Sequence, residues 1–141
     1  MIKKLITIAF ATVALLALSG CTGEDSYYDH DDELTTLFLI DQDGNSYANV
    51  PYICDSMTHW DKTASNGEFS FYPGENCEFD FDGLIGNYEN DYYDDDIIYI
   101  VDYTEDGKGR IPYECESFGT GSTYGDGSFD YNENDECVFF F

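Results

Sequence analysis

Basic residues are few in this sequence. Only five of its 141 residues are Lys or Arg, whereas 30 are Asp or Glu, which gives a formal net charge of −25 at pH 7. A chain of this charge repels the phosphates of nucleic acids and the headgroups of anionic lipids. We therefore expect no nucleic-acid partner, and we expect any partner that binds by charge to be a cation or a basic surface.

Histidine is also scarce, since the chain contains only His30 and His59. Nucleophilic catalysis usually combines a histidine with a nucleophile and a group that orients the base. Neither histidine is accompanied by a glycine-framed serine of the hydrolase type. We therefore predict a non-enzymatic protein with no catalytic residues.

The sequence has no apolar run of the roughly 20 residues that a membrane-spanning helix needs. Its longest run, Leu5–Leu18, follows two lysines and precedes the small residues Ser19 and Gly20. This three-part order is typical of a cleaved signal peptide. We predict that residues 1–20 form a signal helix that is removed, which leaves three basic residues against 30 acidic ones and a formal charge of −27.

The end of this segment, Leu18-Ser19-Gly20-Cys21, resembles the lipobox of bacterial lipoproteins. The resemblance implies that the thiol of Cys21 carries a diacylglycerol and that the chain is cut before it. It also implies the outer membrane. In many Gram-negative bacteria an Asp directly after the lipidated cysteine retains a lipoprotein in the inner membrane, and this chain has Thr22 at that position. We therefore expect a protein anchored to the outer membrane through Cys21, facing the periplasm or the cell surface. The alternative is an ordinary secretory signal followed by a free cysteine.

The rest of the chain is an internal duplication. Residues 37–56 align without a gap to residues 98–117, and after a deletion of one residue the second half of the copy aligns as well. The recurring residues are Pro51, Tyr52, Cys54, Ser56, Gly67, Phe69, Cys77, Phe79 and Phe81 in the first copy, and Pro112, Tyr113, Cys115, Ser117, Gly127, Phe129, Cys137, Phe139 and Phe141 in the second. We predict an acidic linker over 21–36, β repeat 1 over 37–86 and β repeat 2 over 87–141.

Each copy has the pattern of short strands separated by Gly, Asn and Asp. Val50, Tyr52 and Cys54 alternate with other residues, so they share one face of a strand. We predict an all-β fold class: two tandem small antiparallel β-sandwich repeats that pack together, preceded by the signal helix. The last strand, Cys137–Phe141, is apolar on both faces, so we expect it to lie centrally and to be covered on both sides.

The chain lacks a C-x-x-C motif, and its four remaining cysteines are too far apart for the C-x₂₋₄-C spacing of structural zinc sites. Four cysteines allow three pairings, and the duplication favours one bridge in each copy, Cys54–Cys77 and Cys115–Cys137. The compartment beyond the inner membrane is oxidising and permits such bonds. We therefore predict two structural disulfides.

Acidic loops follow the first strand of each copy. Their candidate metal ligands are Asp41, Asp43 and Asn45 in one loop and Asp102, Glu105 and Asp106 in the other. Carboxylate and amide oxygens at this density suit Ca²⁺. Neither loop has the ligand positions of an EF-hand, and charge runs are usually only solvated surface. We expect no certain cofactor, with Ca²⁺ as a possible ligand of these loops.

Each copy also contains a short turn motif before an aromatic strand, Asn66-Gly67-Glu68-Phe69 in one and Asp126-Gly127-Ser128-Phe129 in the other. With the cysteine pattern, this resembles repeat modules of bacterial surface lipoproteins, which are similar to carboxypeptidase-regulatory-like (transthyretin-like) β-sandwich units. The resemblance implies a non-enzymatic surface role and names no ligand. We expect a membrane-anchored binding or structural module with an unknown protein or glycan partner. The alternative is an envelope protein whose acidic loops are ordered by Ca²⁺.

Overall fold

A computed structural model describes residues 33–88 and 96–141. The chain divides into Met1–Glu33, of which only Glu33 is described, and Leu34–Phe141, which forms one compact unit. The predicted signal helix, Cys21 and nearly all of the acidic linker lie outside the described residues. Among the described residues no helix is long and apolar enough to cross a membrane.

The described residues form an all-β structure of two antiparallel sheets, which confirms the predicted fold class. The strands are β1 (Thr35–Ile40), β2 (Pro51–Cys54), β3 (Asp61–Lys62), β4 (Glu68–Phe71), β5 (Asn76–Asp80), β6 (Tyr99–Val101), β7 (Pro112–Cys115), β8 (Gly119–Ser122) and β9 (Glu136–Phe140). One sheet has the order β4-β1-β6, and the other has the order β3-β2-β5-β9-β7-β8.

The two sequence copies share both sheets, and their pairing follows a pseudo-twofold axis. In the smaller sheet the axis passes between Leu39 and Ile100, which are equivalent in the two copies and lie directly opposite each other. In the larger sheet it passes between Glu78 and Val138, which are also equivalent and opposed. In the described part of the chain, the two copies are therefore related like the two subunits of a symmetric dimer, joined here into one polypeptide.

The core lies between the sheets and is largely aromatic, because the inward positions of both copies carry Phe and Tyr. Two equivalent ring pairs sit at its centre: Phe69 meets Phe79 edge to face with ring centroids 4.9 Å apart, and Phe129 meets Phe139 in the same way at 4.8 Å. Edge-to-face packing is a favourable geometry for aromatic rings. The buried core residues are Leu37, Leu39, Val50, Tyr52, Cys54, Phe69, Phe71, Cys77, Phe79, Phe81, Ile98, Ile100, Tyr113, Cys115, Phe129, Tyr131, Cys137 and Phe139.

Both predicted disulfides are present, and each joins directly opposed residues of neighbouring strands. Cys54 on β2 is bonded to Cys77 on β5, and Cys115 on β7 is bonded to Cys137 on β9. The bonds therefore close each half of the larger sheet on its core face.

A tyrosine in each copy links the two sheets. The hydroxyl oxygen of Tyr113 accepts a hydrogen bond from the backbone N–H of Asp130 at 3.0 Å, and that of Tyr52 accepts one from Ser70 at 3.5 Å. Ser70 lies on β4 at one edge of the smaller sheet, and Asp130 lies two residues after Ser128, which forms an isolated bridge with Tyr99 on β6 at the other edge. The tyrosines therefore satisfy backbone groups at its edges that would otherwise be open to pairing with other chains.

The last strand differs in part from its prediction. β9 is central, because it is paired with β5 on one side and β7 on the other. Its outward face is not fully covered by described residues, since Val138 is half-buried and the side chain of Phe140 is 39% exposed. Apolar residues on both faces of this strand therefore reflect a central position in the sheet, not burial on both sides.

Candidate functional site

The outward face of the smaller sheet carries apolar side chains close to the pseudo-twofold axis. Leu39 and Ile100 are turned into the core, so the alternating positions Phe38 and Ile40 on β1 and Tyr99 on β6 belong to the opposite face. These three residues are half-buried. An outward sheet face in an acidic protein is normally polar, so this apolar patch is a candidate contact surface.

The two acidic loops border this apolar patch. Each loop turns back on its own strand, because Ile40 forms an isolated bridge with Ser46 and Val101 forms the equivalent bridge with Gly107. The side chains at the loop starts hold these turns closed. Asp41 Oδ1 accepts the backbone N–H groups of Asp43 and Asn45 at 2.9 and 2.7 Å.

The second loop is held in the same way by Asp102. Its Oδ1 accepts the backbone N–H groups of Thr104 and Asp106 at 2.9 and 3.1 Å, and the Thr104 hydroxyl donates to the same oxygen at 2.6 Å. Asp102 Oδ2 lies 3.4 Å from the ammonium of Lys108. The Thr104 hydrogen bond is the largest of several interactions that lower the pKa of Asp102 to about 2. The carboxylate is therefore ionised at every physiological pH.

Two equivalent grooves lie between the loops and the patch, with volumes of about 220 and 320 Å³. The first is lined by Phe38, Ile40, Gly44, Ser46, Asn66, Val101, Asp102, Tyr103 and Glu105. The second is lined by Ile40, Asp41, Gln42, Gly44, Tyr99, Val101, Glu105 and Asp126. Nearly every lining residue of one groove is the sequence equivalent of a lining residue of the other.

The two grooves share Ile40, Gly44, Val101 and Glu105, so they meet across the pseudo-twofold axis. We call the continuous depression that they form the trough. Its floor is apolar and its walls carry carboxylates. Drug-sized ligands usually occupy cavities of roughly 300–1,000 Å³, so one half of the trough is smaller than this range and the other lies at its lower end.

Glu105 occupies a special backbone position in this trough. It has a φ of 67°, in the left-handed region, where its equivalent in the first copy is Gly44 with a φ of 85°. Left-handed backbone costs little for glycine and is unfavourable for residues with a side chain. The second copy therefore keeps a carboxylate where the backbone alone would favour glycine.

The predicted Ca²⁺ ligands are brought to one side of the molecule but do not converge as a cluster. Within the described ranges, one group of three His, Cys, Asp or Glu side chains has ligand atoms close enough to hold an ion, and it contains none of the six predicted ligands. That group is Cys115, Asp135 and Cys137. Calcium binding by the loops stays a prediction, and in this arrangement it would require side chains to move.

The Cys115, Asp135 and Cys137 group has a structural explanation. Both sulfurs belong to one disulfide. The buried carboxylate of Asp135 accepts backbone N–H groups from Ser117 and Phe118 at 2.8 and 3.0 Å, and it also accepts those of Asn132 and Glu136. In the first copy Glu75 is its equivalent and accepts the N–H groups of Ser56 and Tyr72. These carboxylates order the turns beside the disulfides.

The outward face of the larger sheet carries a second charged surface. Asp80 on β5 lies directly opposite Glu136 on β9, and Glu78 and Glu116 are also near Glu136. Partial loss of solvent raises the pKa of Glu136, and the neighbouring carboxylates raise it further. Two depressions of about 370 and 390 Å³ lie on this face. The first is lined by Glu78, Glu114, Cys115, Glu116, Glu136 and Val138, and the second by Ile53, Cys54, Asp55, Met57, Asn76, Glu78 and Val138. This face therefore also combines carboxylates with apolar side chains, and it serves as the comparison surface for the trough.

The remaining predicted site residue is Cys21, whereas the two histidines were not predicted to be catalytic. Cys21 and His30 lie outside the described residues. His59 is exposed, and its Nδ1 lies 2.8 Å from the hydroxyl of the neighbouring Thr58. The floor of the trough was not predicted from the sequence. Its signal was present, because apolar residues recur at the outward positions Phe38 and Ile40 of one copy and Tyr99 and Val101 of the other.

Comparison with protein families, with characterised proteins and with solved structures finds no match for this chain.

Proposed function

We propose that this chain is a bacterial outer-membrane lipoprotein, anchored through a lipid on Cys21, whose β-body acts as a non-enzymatic binding module at the cell envelope. The anchor is supported by the sequence pattern at Leu18–Cys21 and by the preceding basic and apolar segments. The two disulfides fit an oxidising compartment beyond the inner membrane. The turn motifs and cysteine pattern favour kinship with carboxypeptidase-regulatory-like modules.

The trough is the observation that carries the binding role. Its apolar floor is half-exposed on a sheet face, and Tyr103 at its wall is 84% exposed. Exposed apolar surface rimmed by polar groups is typical of interaction sites. Apolar contact then supplies affinity, and the carboxylates supply orientation and choice of partner.

Metabolic labelling with an alkyne fatty acid in a Gram-negative host tests the anchor. The wild-type chain should incorporate the label and fractionate with the outer membrane. The Cys21→Ser variant should lose the label and leave the membrane fraction. A Cys21→Ser variant that is still labelled and still bound to the outer membrane would show that the anchor is elsewhere.

Photo-crosslinking in intact cells tests the binding role. A photoreactive amino acid in place of Tyr103 should form a discrete adduct with another envelope component. The same amino acid in place of Trp60, which is 50% exposed on the larger sheet's edge, is the matched control and should form none. The proposal fails if the Tyr103 position gives no adduct or if both positions give the same one.

A further inference from the structure

We infer that the trough docks a cationic segment of another polypeptide, with apolar or aromatic side chains in the two grooves and Lys or Arg side chains against the carboxylates of the walls. The inference rests on the proposed binding function and names the class of its partner.

The floor favours apolar side chains. Phe38, Ile40 and Tyr99 are half-buried in the free protein, and Val101 is 3% exposed beneath the loops. Because the grooves meet across the axis, an extended segment lying over β1 and β6 can place one side chain in each. Alternate residues of an extended chain point the same way, so two of them can face the floor. The residues between them point away from the floor, and the long side chains of Lys or Arg can bend back to the carboxylates of the walls.

The walls favour positive charge. Asp41 and Asp126 line one groove, Asp102 lines the other, and Glu105 lines both. Within residues 33–88 and 96–141 the one ion pair is that of Lys108 with Asp102. Asp41, Asp126 and Glu105 have no ion-pair partner among these residues, so they gain most from an arriving Lys or Arg, and such pairs also speed association.

Charge disfavours the occupants that the protein itself could supply. With residues 1–20 removed as a signal peptide, the remaining stretches outside the described residues, 22–32 and 89–95, are acidic, and so is the body as a whole. A second copy would therefore bring carboxylates against carboxylates. The occupant that fits the trough is basic and comes from a different molecule.

Glu105 supports this assignment. It retains a carboxylate at the junction of the grooves in spite of a left-handed backbone that its equivalent Gly44 adopts without a side chain. Residues held in unfavourable backbone conformations occur preferentially at functional sites.

Peptide binding to the mature chain with Cys21→Ser, which keeps it soluble, tests the inference. The probe is a labelled heptapeptide of sequence Lys-Leu-Lys-Phe-Lys-Leu-Lys, and the charge-matched control peptide has Ser in place of Leu and Phe. Binding is measured by fluorescence anisotropy at physiological salt, because salt at this concentration screens long-range charge effects. The first peptide should bind about tenfold more tightly than the second, because only it fills the grooves. When this peptide binds, the backbone amide NMR signals that shift should be those of residues 38–46 and 99–107 of the protein.

Substitutions locate the site. Ile40→Thr and Glu105→Gln should each weaken binding by about fivefold, a loss typical of one well-placed contact. Ile53→Thr and Glu114→Gln make matched changes on the outward face of the larger sheet and should change binding by less than about twofold. If Ile40→Thr does not fold, Ile40→Val provides a milder change that should still weaken binding measurably.

The inference is overturned if the two peptides bind equally, if the control substitutions weaken binding as much as those in the trough, or if the shift changes fall on β5 and β9. In each case an adduct at Tyr103 in cells would leave the binding function standing with a different partner class. Loss of that adduct would instead remove the binding function itself.

Discussion

Glu78 on β5 lies directly opposite Val138 on β9, and the two residues occupy the same position in the two sequence copies. At a twofold axis a residue faces its own equivalent. Two glutamates at this position would place like charges directly opposite each other, which is destabilising in a sheet. The replacement of Glu by Val in one copy removes that repulsion. At the other end of the axis both equivalents, Leu39 and Ile100, are apolar and buried, so they can face each other without cost.

Repulsion remains two residues along the strands, on the same face, between Asp80 and Glu136. Because the pKa of Glu136 is raised in the folded state, its protonated form favours folding, and this contribution is present at low pH and lost as pH rises through the raised pKa. Glu136→Gln should therefore stabilise the protein by about 0.2–1 kcal/mol at pH 7, with a gain that shrinks as the pH falls toward 4. Thermal unfolding between pH 4 and 8 measures this. The exposed Glu133→Gln is the control, and an equal effect there would argue against local repulsion.

The glycines of the turn motifs should not tolerate a side chain. A Cβ on Gly67 would collide with the carbonyl oxygen of Leu39, and one on Gly127 with that of Ile100, while both glycines also have φ near 85°. Gly67→Ala and Gly127→Ala should each cost about 3 kcal/mol or more, because backbone atoms at the axis must shift. Gly74→Ala has a similar φ but open space, so it should cost only about 1 kcal/mol. Urea denaturation distinguishes the two classes. Equal losses at all three positions would mean that φ alone matters.

The left-handed residue of the trough predicts a conflict between stability and binding. Glu105→Gly should stabilise the fold by about 0.5–1 kcal/mol because it relieves the unfavourable backbone, while it weakens binding of the cationic peptide. A side chain at the equivalent position of the other copy, introduced as Gly44→Ala so that no charge is added, should destabilise by a similar amount, since a Cβ there meets no atom and only the backbone conformation is made unfavourable. Melting temperatures of the two variants provide the comparison. A destabilised Glu105→Gly variant would contradict the prediction.

The tyrosines that link the sheets should differ in their contribution. Tyr113→Phe removes the acceptor for the Asp130 N–H at 3.0 Å and should cost about 1 kcal/mol. Tyr52→Phe removes the longer bond to Ser70 at 3.5 Å and should cost less. The midpoint of urea unfolding should fall with an unchanged slope in both variants. A larger loss of stability for Tyr52→Phe would show that the contributions of these two hydrogen bonds do not follow their lengths.

Several local features could be predicted from the sequence because they depend on residues close together in the chain or on the repeat itself. Alternation placed Tyr52 and Cys54 on a core face, and the duplication selected the two cysteine pairs. The apolar ending of the second copy predicted the central position of β9. The Ca²⁺ loops are different, since the spacing of Asp102 and Asp106 suggested ion ligands, whereas the structure uses Asp102 to accept backbone N–H groups of its own turn. Ion binding and the acceptance of backbone N–H groups within a turn both require Asp side chains, so the sequence pattern does not distinguish the two roles.

By itself the sequence determined the repeated unit, the strands, their inward faces and the disulfide partners, because period-2 alternation and the duplication are properties of the chain. Only the tertiary structure decided that the two copies share both sheets about one axis. That choice depends on register between segments some 60 residues apart, where Leu39 meets Ile100 and Glu78 meets Val138. It also created the trough, since two half-grooves become one continuous site only when β1 and β6 pair with their equivalent residues opposed.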